Sequence, residues 1–183
     1  VGLRFQSQFL DQNDPRGDFT INPLQFFGTL GISRGFVDTE QQKFFVRLGA
    51  TGQYMSRQMF LDNDPLGENA HGETASDVGL ELVFNYVNTK LAANVEYEGQ
   101  LRFYQPFYYS AKGDVEDLGS EYLESVGLPG DLADYFTTLD IDWENTFKAN
   151  ITSVINVQLQ LRWVYDKYDN TVAPVVQEGD LLN

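Results

Sequence analysis

Residues 91–105 read LAANVEYEGQLRFYQ, and apolar and polar side chains alternate along almost the whole stretch. The odd positions from Leu91 to Phe103 carry apolar residues or glycine, whereas the even positions from Asn94 to Arg102 are polar or charged. A repeat of two residues is the periodicity of a β-strand, whose successive side chains point to opposite faces. The stretch therefore predicts a strand with one apolar face and one charged face.

Six further segments bring the predicted number of strands to seven: 3–9, 25–36, 43–60, 78–86, 135–149 and 155–165. All repeat the alternation, but it is weaker in 25–36, where Phe26 and Phe27 fall on both faces and glycines interrupt the pattern. Several of them exceed the roughly 5–6 residues that are common in soluble strands. The only helical pattern is a short one at 118–126. The sequence thus predicts an all-β fold.

The predicted connections alternate in length. The long connections are 11–24, 61–76, 106–134 and the tail after Tyr168, whereas 37–42, 88–90 and 150–154 are short. In an up-and-down meander, successive connections lie at opposite ends, so all the long ones fall on one side. Long external loops and short periplasmic turns are typical of an outer-membrane β-barrel.

Composition excludes several classes of function. The chain has 27 Asp and Glu against 12 Lys and Arg, a net charge of -15 that repels a phosphate backbone and excludes nucleic acid as a partner. It has no cysteine, which excludes disulfides, thiolate metal ligands and a thiol nucleophile. No run approaches the roughly 20 apolar residues of a membrane-spanning helix.

Charge is distributed unevenly along the chain. The four long connections hold 17 of the 27 acidic residues but only two basic ones, Arg16 and Lys112. On the polar faces of the strands the two signs nearly balance, which predicts ion pairs inside a narrow barrel. Glu81 is one of the acidic residues on these polar faces. The residues selected as the predicted lumen network are Arg47, Glu96, Glu98, Arg102, Asp140, Asp142, Glu144 and Arg162.

The kind of residue on each face favours a membrane barrel over a soluble one. A soluble up-and-down barrel has apolar side chains inside and polar ones outside. Here arginine, glutamate and glutamine recur along the polar face, and aromatic residues cluster near segment ends, as in interfacial girdles. We expect Val95, Tyr97, Leu101, Leu159, Leu161 and Trp163 to face lipid, and Glu96, Glu98, Arg102, Gln160 and Arg162 to face the lumen.

The C-terminal half resembles a known family. The strand LDIDWENT at 139–146, the turn near Ile151 and the strand ending RWVYD at 162–166 resemble the D-V-x-W-E-N and L-x-Y-D strands of a Bacteroidetes-type outer-membrane β-barrel family of unknown function. The hairpin 78–103, with Asn94 early in its second strand, resembles the preceding pair of strands. The resemblance implies a fold and a membrane, and it implies no activity.

The chain departs from that family at both ends. Members normally begin well upstream of Val1 and finish with a further strand that ends on an aromatic residue, whereas this sequence stops at DLLN, 180–183. We therefore expect residues 1–183 to form a single barrel domain that lacks its closing strand and has at least eight strands when complete, because bacterial barrels have an even strand number.

Two long connections contain similar acidic sequences, FLDQNDPRGD at 9–18 and FLDNDPLGE at 60–68. Carboxylates and amide carbonyls are ligands that calcium prefers. Asp11, Asp14, Asp62 and Asp64 are therefore candidate ligands for Ca²⁺, the one cofactor that the sequence suggests. Asp, Asn, Pro and Gly are equally the residues that a turn requires.

No catalytic motif is evident. The single histidine, His71, lies in a predicted glycine-flanked loop that would orient it poorly for hydrolysis. Asp140, Asp142 and Glu144 share one strand face, but the neighbouring arginines favour a salt-bridged filling over acid–base chemistry. The sequence therefore predicts no enzymatic activity.

Three functions stay open at this point. The first is a structural or binding protein of the bacterial outer membrane, whose acidic external loops meet ions, lipopolysaccharide or another envelope protein. The second is a passive porin-like channel, which needs more strands than the seven predicted, because side chains fill a barrel of about eight. The third is a soluble β-barrel that binds a ligand.

Overall fold

A computed structural model describes residues 1–12, 14–60, 66–152 and 155–168, and the backbone of 175–177 and 180–182. Its strands are β1 (Gly2–Ser7), β2 (Leu10–Asp11), β3 (Phe19–Thr20), β4 (Leu24–Asp38), β5 (Gln42–Met59), β6 (His71–Ala92), β7 (Val95–Tyr109), β8 (Asp140–Asn150), β9 (Asn156–Tyr165), β10 (Val175–Gln177) and β11 (Asp180–Leu182). Its helices are α1 (Lys112–Leu118), α2 (Ser120–Ser125) and α3 (Leu132–Tyr135).

Seven of these strands form one antiparallel sheet in the order β1-β4-β5-β6-β7-β8-β9. They coincide with the seven predicted strands and confirm the predicted meander. The sheet curls into a half-barrel whose edges are β1 and β9. Two separate hairpins, β2–β3 and β10–β11, lie outside the main sheet.

The register places apolar residues side by side on the convex face and charged residues side by side on the concave face. Leu48, Leu82, Phe103 and Ile141 pair in register across four consecutive strands and form an apolar row on the convex face. One residue further along, Arg102 pairs with Asp142 on the concave face. The alternation in 91–105 therefore separates the two faces as predicted.

Strand β6 is longer than the sequence indicates. It begins at His71, seven residues before the predicted start at Val78, because its ladder with β5 continues to the pair Met59 and His71. The added segment is rich in small and polar residues, so hydrophobic alternation did not reveal it. The predicted loop 61–76 is correspondingly shorter, and placing His71 in that loop was wrong.

The connection between β7 and β8 contains the three helices, where the sequence predicted one at 118–126. Gly119, with φ of 78°, separates α1 from α2 within that range. The predicted strand 135–149 begins only at Asp140, because Tyr135 ends α3. No helix in the described part of the chain is long and apolar enough to cross a membrane.

A pair of glycines allows β4 and β5 to approach closely. Gly31 and Gly49 lie opposite each other in register. A Cβ atom on Gly31 would lie 2.4 Å from the carbonyl oxygen of Leu48, which no real side chain tolerates. Glycine in the middle of these long strands is therefore a packing requirement, not merely an interruption.

Candidate functional site

The concave face encloses an open cavity of about 670 Å³. All seven strands of the sheet contribute side chains to its wall, and most of these side chains are polar or charged. The charged wall residues are Arg4, Arg47, Glu81, Arg102, Asp140, Asp142, Arg162 and Asp166. The cavity is the candidate functional site because it gathers these groups in one place.

Glu81 is the centre of an ion-paired cluster. Its two carboxylate oxygens accept hydrogen bonds from Arg47 Nη2 and Arg102 Nε, each at 2.6 Å. The register explains the geometry, since Arg47 and Arg102 both pair with Val83, two residues from Glu81 on the same face. Glu81 is only 6% exposed, so its charge depends on both arginines for compensation.

A second ion pair continues the pattern toward the sheet edge. Arg162 donates from Nε and Nη2 to the two oxygens of Asp142, at 2.9 and 2.7 Å. Because Asp142 also lies in register beside Arg102, the charges alternate in sign from β5 to β9. We call Arg47, Glu81, Arg102, Asp142 and Arg162 the charged row.

The remaining residues of the predicted network lie outside the charged row. Glu144 accepts a hydrogen bond from Gln160, and Asp140 lies near Asp166 on the cavity wall. Glu96 pairs in register with Lys148 near the short turns. In the part of the chain that the structure describes, neither Glu96 nor Glu98 takes part in an ion pair of 4.0 Å or less.

Beyond the charged row lies a buried polar layer. The hydroxyl of Tyr104 donates a hydrogen bond to the carboxylate of Asp77, and both residues are only 2% exposed. Sequence reasoning did not select this pair. The available signal was a tyrosine at an even position of β7, where the alternation otherwise places charge.

Further along the same strands, the concave face becomes apolar and is covered. Residues 110–139, which contain the three helices and which we call the cap, pack against the end of the sheet where β6 begins and β7 ends. We call this the long-connection end. The buried residues of cap and sheet form one cluster, the cap core: Met55, Ala75, Tyr109, Ala111, Val115, Leu123, Leu132, Ala133 and Phe136.

The convex face has the opposite character. Its large apolar side chains are about half or more exposed across the sheet, among them Leu30, Ile32, Leu48, Leu80, Trp143, Leu159, Leu161 and Trp163. Val95, Tyr97 and Leu101 lie on the same face but are half-buried by their neighbours. The ring of Tyr97 packs against Phe147, with centroids 4.9 Å apart.

The candidate calcium ligands are only partly described, since Asp62 and Asp64 lie outside the described residues. Asp14 is held by Arg16, whose Nε and Nη2 lie 2.9 and 2.7 Å from its two oxygens. These hydrogen bonds lower the pKa of Asp14 to about 2. Asp11 accepts a hydrogen bond from Asn22 Nδ2 at 2.9 Å. Among the described residues, no group of three metal-ligating side chains converges.

His71 lies at the first position of β6. Its Nε2 contacts the carboxylate of Glu73, two residues along the same strand face. The histidine is therefore held by a strand, in contrast to the glycine-flanked loop that the sequence predicted.

Comparisons with protein-family models, curated proteins and solved structures match nothing to this chain. We therefore infer its function from the two faces of the sheet and from the cap.

Proposed function

We propose that the chain forms a transmembrane β-barrel of the bacterial outer membrane, with a structural or binding role and no catalytic activity. The observation that carries the proposal is the polarity of the half-barrel. Its convex face exposes large apolar side chains, whereas its concave face carries the charged row. This is the reverse of a soluble barrel, in which the apolar face is inside.

The energy at stake supports a lipid environment for the convex face. Burying one side chain of the size of leucine or phenylalanine contributes about 1.5–3 kcal/mol. Many such side chains lie about half exposed across the sheet. Leaving that whole surface in water would forgo an amount comparable to the roughly 5–15 kcal/mol that stabilises a typical domain. Hydrocarbon around the barrel removes this cost.

The acidic surface of the long-connection end suggests the binding partner. The cap exposes the carboxylates of Asp114, Glu116, Asp117, Glu121, Glu124, Asp131 and Asp134. We expect this end to face outward and to meet lipopolysaccharide through divalent cations, or another envelope protein. The resemblance of the β8–β9 hairpin to an outer-membrane barrel family supports the proposed membrane location.

Tryptophan fluorescence provides a direct test. The two tryptophans of the chain, Trp143 and Trp163, pair in register on the convex face and are 49% and 53% exposed. In vesicles of phospholipids with brominated acyl chains, we expect strong quenching of the wild-type protein. The variants Trp143→Phe and Trp163→Phe should each keep a quenched tryptophan.

The matched control places the only tryptophan on the other face. In the variant Trp143→Phe, Trp163→Phe, Gln100→Trp, the indole lies on the wall of the concave cavity and should escape quenching. Monodisperse behaviour without detergent, together with no quenching of Trp143 or Trp163, would contradict the proposal and favour a soluble ligand-binding barrel.

A further inference from the structure

We propose that the cap is an internal plug, which seals the long-connection end of the barrel and makes the cavity beneath it a dead end. The inference rests on the proposed barrel, whose wall must be closed for a plug to have an effect. It excludes a passive pore, because solutes would then reach the charged row only from the short-turn end.

The cap core lies inside the half-barrel and not on its outer surface. Met55 and Ala75 pair in register on β5 and β6. They follow Gln53 and Asp77 along the same concave face, two residues further toward the long-connection end. The helices therefore cover a direct continuation of the cavity wall.

The side chains of the cap core are tightly packed. Val115 and Phe136 are fully buried, and Leu123 is 2% exposed. The ring of Phe136 lies between the rings of Tyr109 and Tyr168, with centroid distances of 4.7 and 4.5 Å. Phe136 thus connects the end of β7 to the segment that follows β9, across the mouth of the half-barrel.

Both ends of the cap are fixed to the sheet by hydrogen bonds. Ser110 donates its backbone N–H to the carbonyl of Ser76, and its Oγ accepts from the backbone N–H of Ser76, both at 2.9 Å. At the other end, Gln105 Nε2 donates to the carbonyl of Thr137 at 2.8 Å. A loop that merely lay over the opening would not need these attachments.

A second barrier lies directly beneath the cap core. Tyr104 and Asp77 form their buried hydrogen bond between the cap core and the charged row. The interior therefore changes in three layers, from an apolar plug to a buried hydrogen-bonded layer and then to the open charged cavity. The charged groups on the outer surface of the plug are all acidic except Lys112, and they are solvated, whereas the inner surface is buried.

Because the chain has no cysteine, single introduced thiols can be labelled without background. Gln53→Cys lies on the cavity wall beneath the plug, and the matched control Glu121→Cys lies on its exposed outer surface. Each variant is reconstituted into vesicles, and a membrane-impermeant maleimide is added outside. Labelling of Glu121→Cys identifies preparations in which the long-connection end faces outward.

In those preparations we expect Gln53→Cys to react on the order of tenfold more slowly than Glu121→Cys, because a thiol under a packed plug reacts only through local opening. Adding Val115→Asp, or replacing 112–135 by a short glycine–serine linker, should bring the two rates together. Rapid labelling of Gln53→Cys beneath an intact plug overturns the inference. Slow labelling that persists after the plug is removed also overturns it, since the wall would then be the barrier.

The quenching of Trp143 and Trp163 by brominated lipid is measured on the same variants. Quenched tryptophans together with rapid labelling of Gln53→Cys refute the plug and leave the barrel proposal standing. Unquenched tryptophans refute the barrel itself.

Discussion

Two regions of the concave face share the same strands but are stabilised in different ways. At the long-connection end, Met55, Ala75 and Tyr109 are buried under the cap. A few residues away, Arg47, Glu81 and Arg102 face an open cavity and are held by ion pairs. The alternation of side chains continues unchanged through both regions on β5 and β6, whereas a β-bulge at Phe107 shifts it by one residue on β7 and brings Tyr109 to the concave face. Alternation therefore indicates which face a residue occupies, apart from such a bulge, and it does not indicate what covers that face.

The largest effect is expected in the cap core. Phe136→Ala removes a fully buried ring and should lower the free energy of unfolding by about 3–5 kcal/mol, because a cavity is left between Tyr109 and Tyr168. Denaturant unfolding in detergent micelles measures the loss. Phe107→Ala is the matched control, since Phe107 is 60% exposed on the sheet, and an equal loss in both variants would contradict the assignment of a packed cap core.

The centre of the charged row should come next. Glu81→Gln leaves Arg47 and Arg102 facing each other without their shared carboxylate, and we expect a loss of about 1–3 kcal/mol. The same unfolding measurement applies. Glu98→Gln, on the same face but outside any ion pair in the described residues, should change little. A loss no greater for Glu81 than for Glu98 would show that the cluster does not stabilise the fold.

The outer end of the charged row should contribute less. Arg162 is 57% exposed and Asp142 is 22% exposed, so solvent screens their attraction. A double-mutant cycle with Asp142→Ala and Arg162→Ala should give a coupling of roughly 0.2–1 kcal/mol that falls as salt is added. A coupling that salt does not reduce would mean that this pair is shielded in the way that Glu81 is.

A further ion pair, between Asp14 and Arg16, lies in a loop outside the main sheet. The hydrogen bonds from Arg16 lower the pKa of Asp14 from its ordinary value of 3.8 to about 2. A carboxylate with a lowered pKa in the folded state stabilises the fold above pH 3.8, and this contribution is lost as the pH falls toward about 2. Arg16→Gln should therefore lower the denaturant midpoint of unfolding above pH 3.8. The difference from wild type should shrink as the pH falls from 3.8 toward about 2. Arg34→Gln, which breaks no ion pair in the described residues, should show no such pH dependence.

Calcium should have the smallest effect. The acidic connections repel one another, so a cation that binds the folded protein should raise its melting temperature more than sodium does at matched ionic strength. Changing Asp11, Asp14, Asp62 and Asp64 together to Asn should reduce the response. Arg16 already binds both carboxylate oxygens of Asp14. The variant Arg16→Gln frees this carboxylate and should therefore increase the rise in melting temperature that calcium causes. Equal melting temperatures in the two salts would indicate that the acidic end is a solvated, repulsive surface that does not bind calcium.

The sequence predicts the strands of this sheet and their two faces well, but it predicts the side-chain contacts of the cavity and the helices of the cap only in part. Alternation in segments such as 91–105 identifies the strands and their faces, because a strand repeats every two residues. The site depends on register, which alternation leaves open, and Glu81 meets Arg47 and Arg102 only because both pair with Val83. The helices of the cap have 7, 6 and 4 residues, too few for a helical period to be recognised.

The odd number of strands fixes the direction of the two open edges. With seven antiparallel strands, β1 and β9 run the same way, so they cannot meet each other in an antiparallel ladder. A second copy in the same membrane orientation would present its β1 to β9 in parallel as well. Antiparallel closure of this half-barrel therefore requires an odd number of added strands, whatever molecule supplies them, and the first must run opposite to β9.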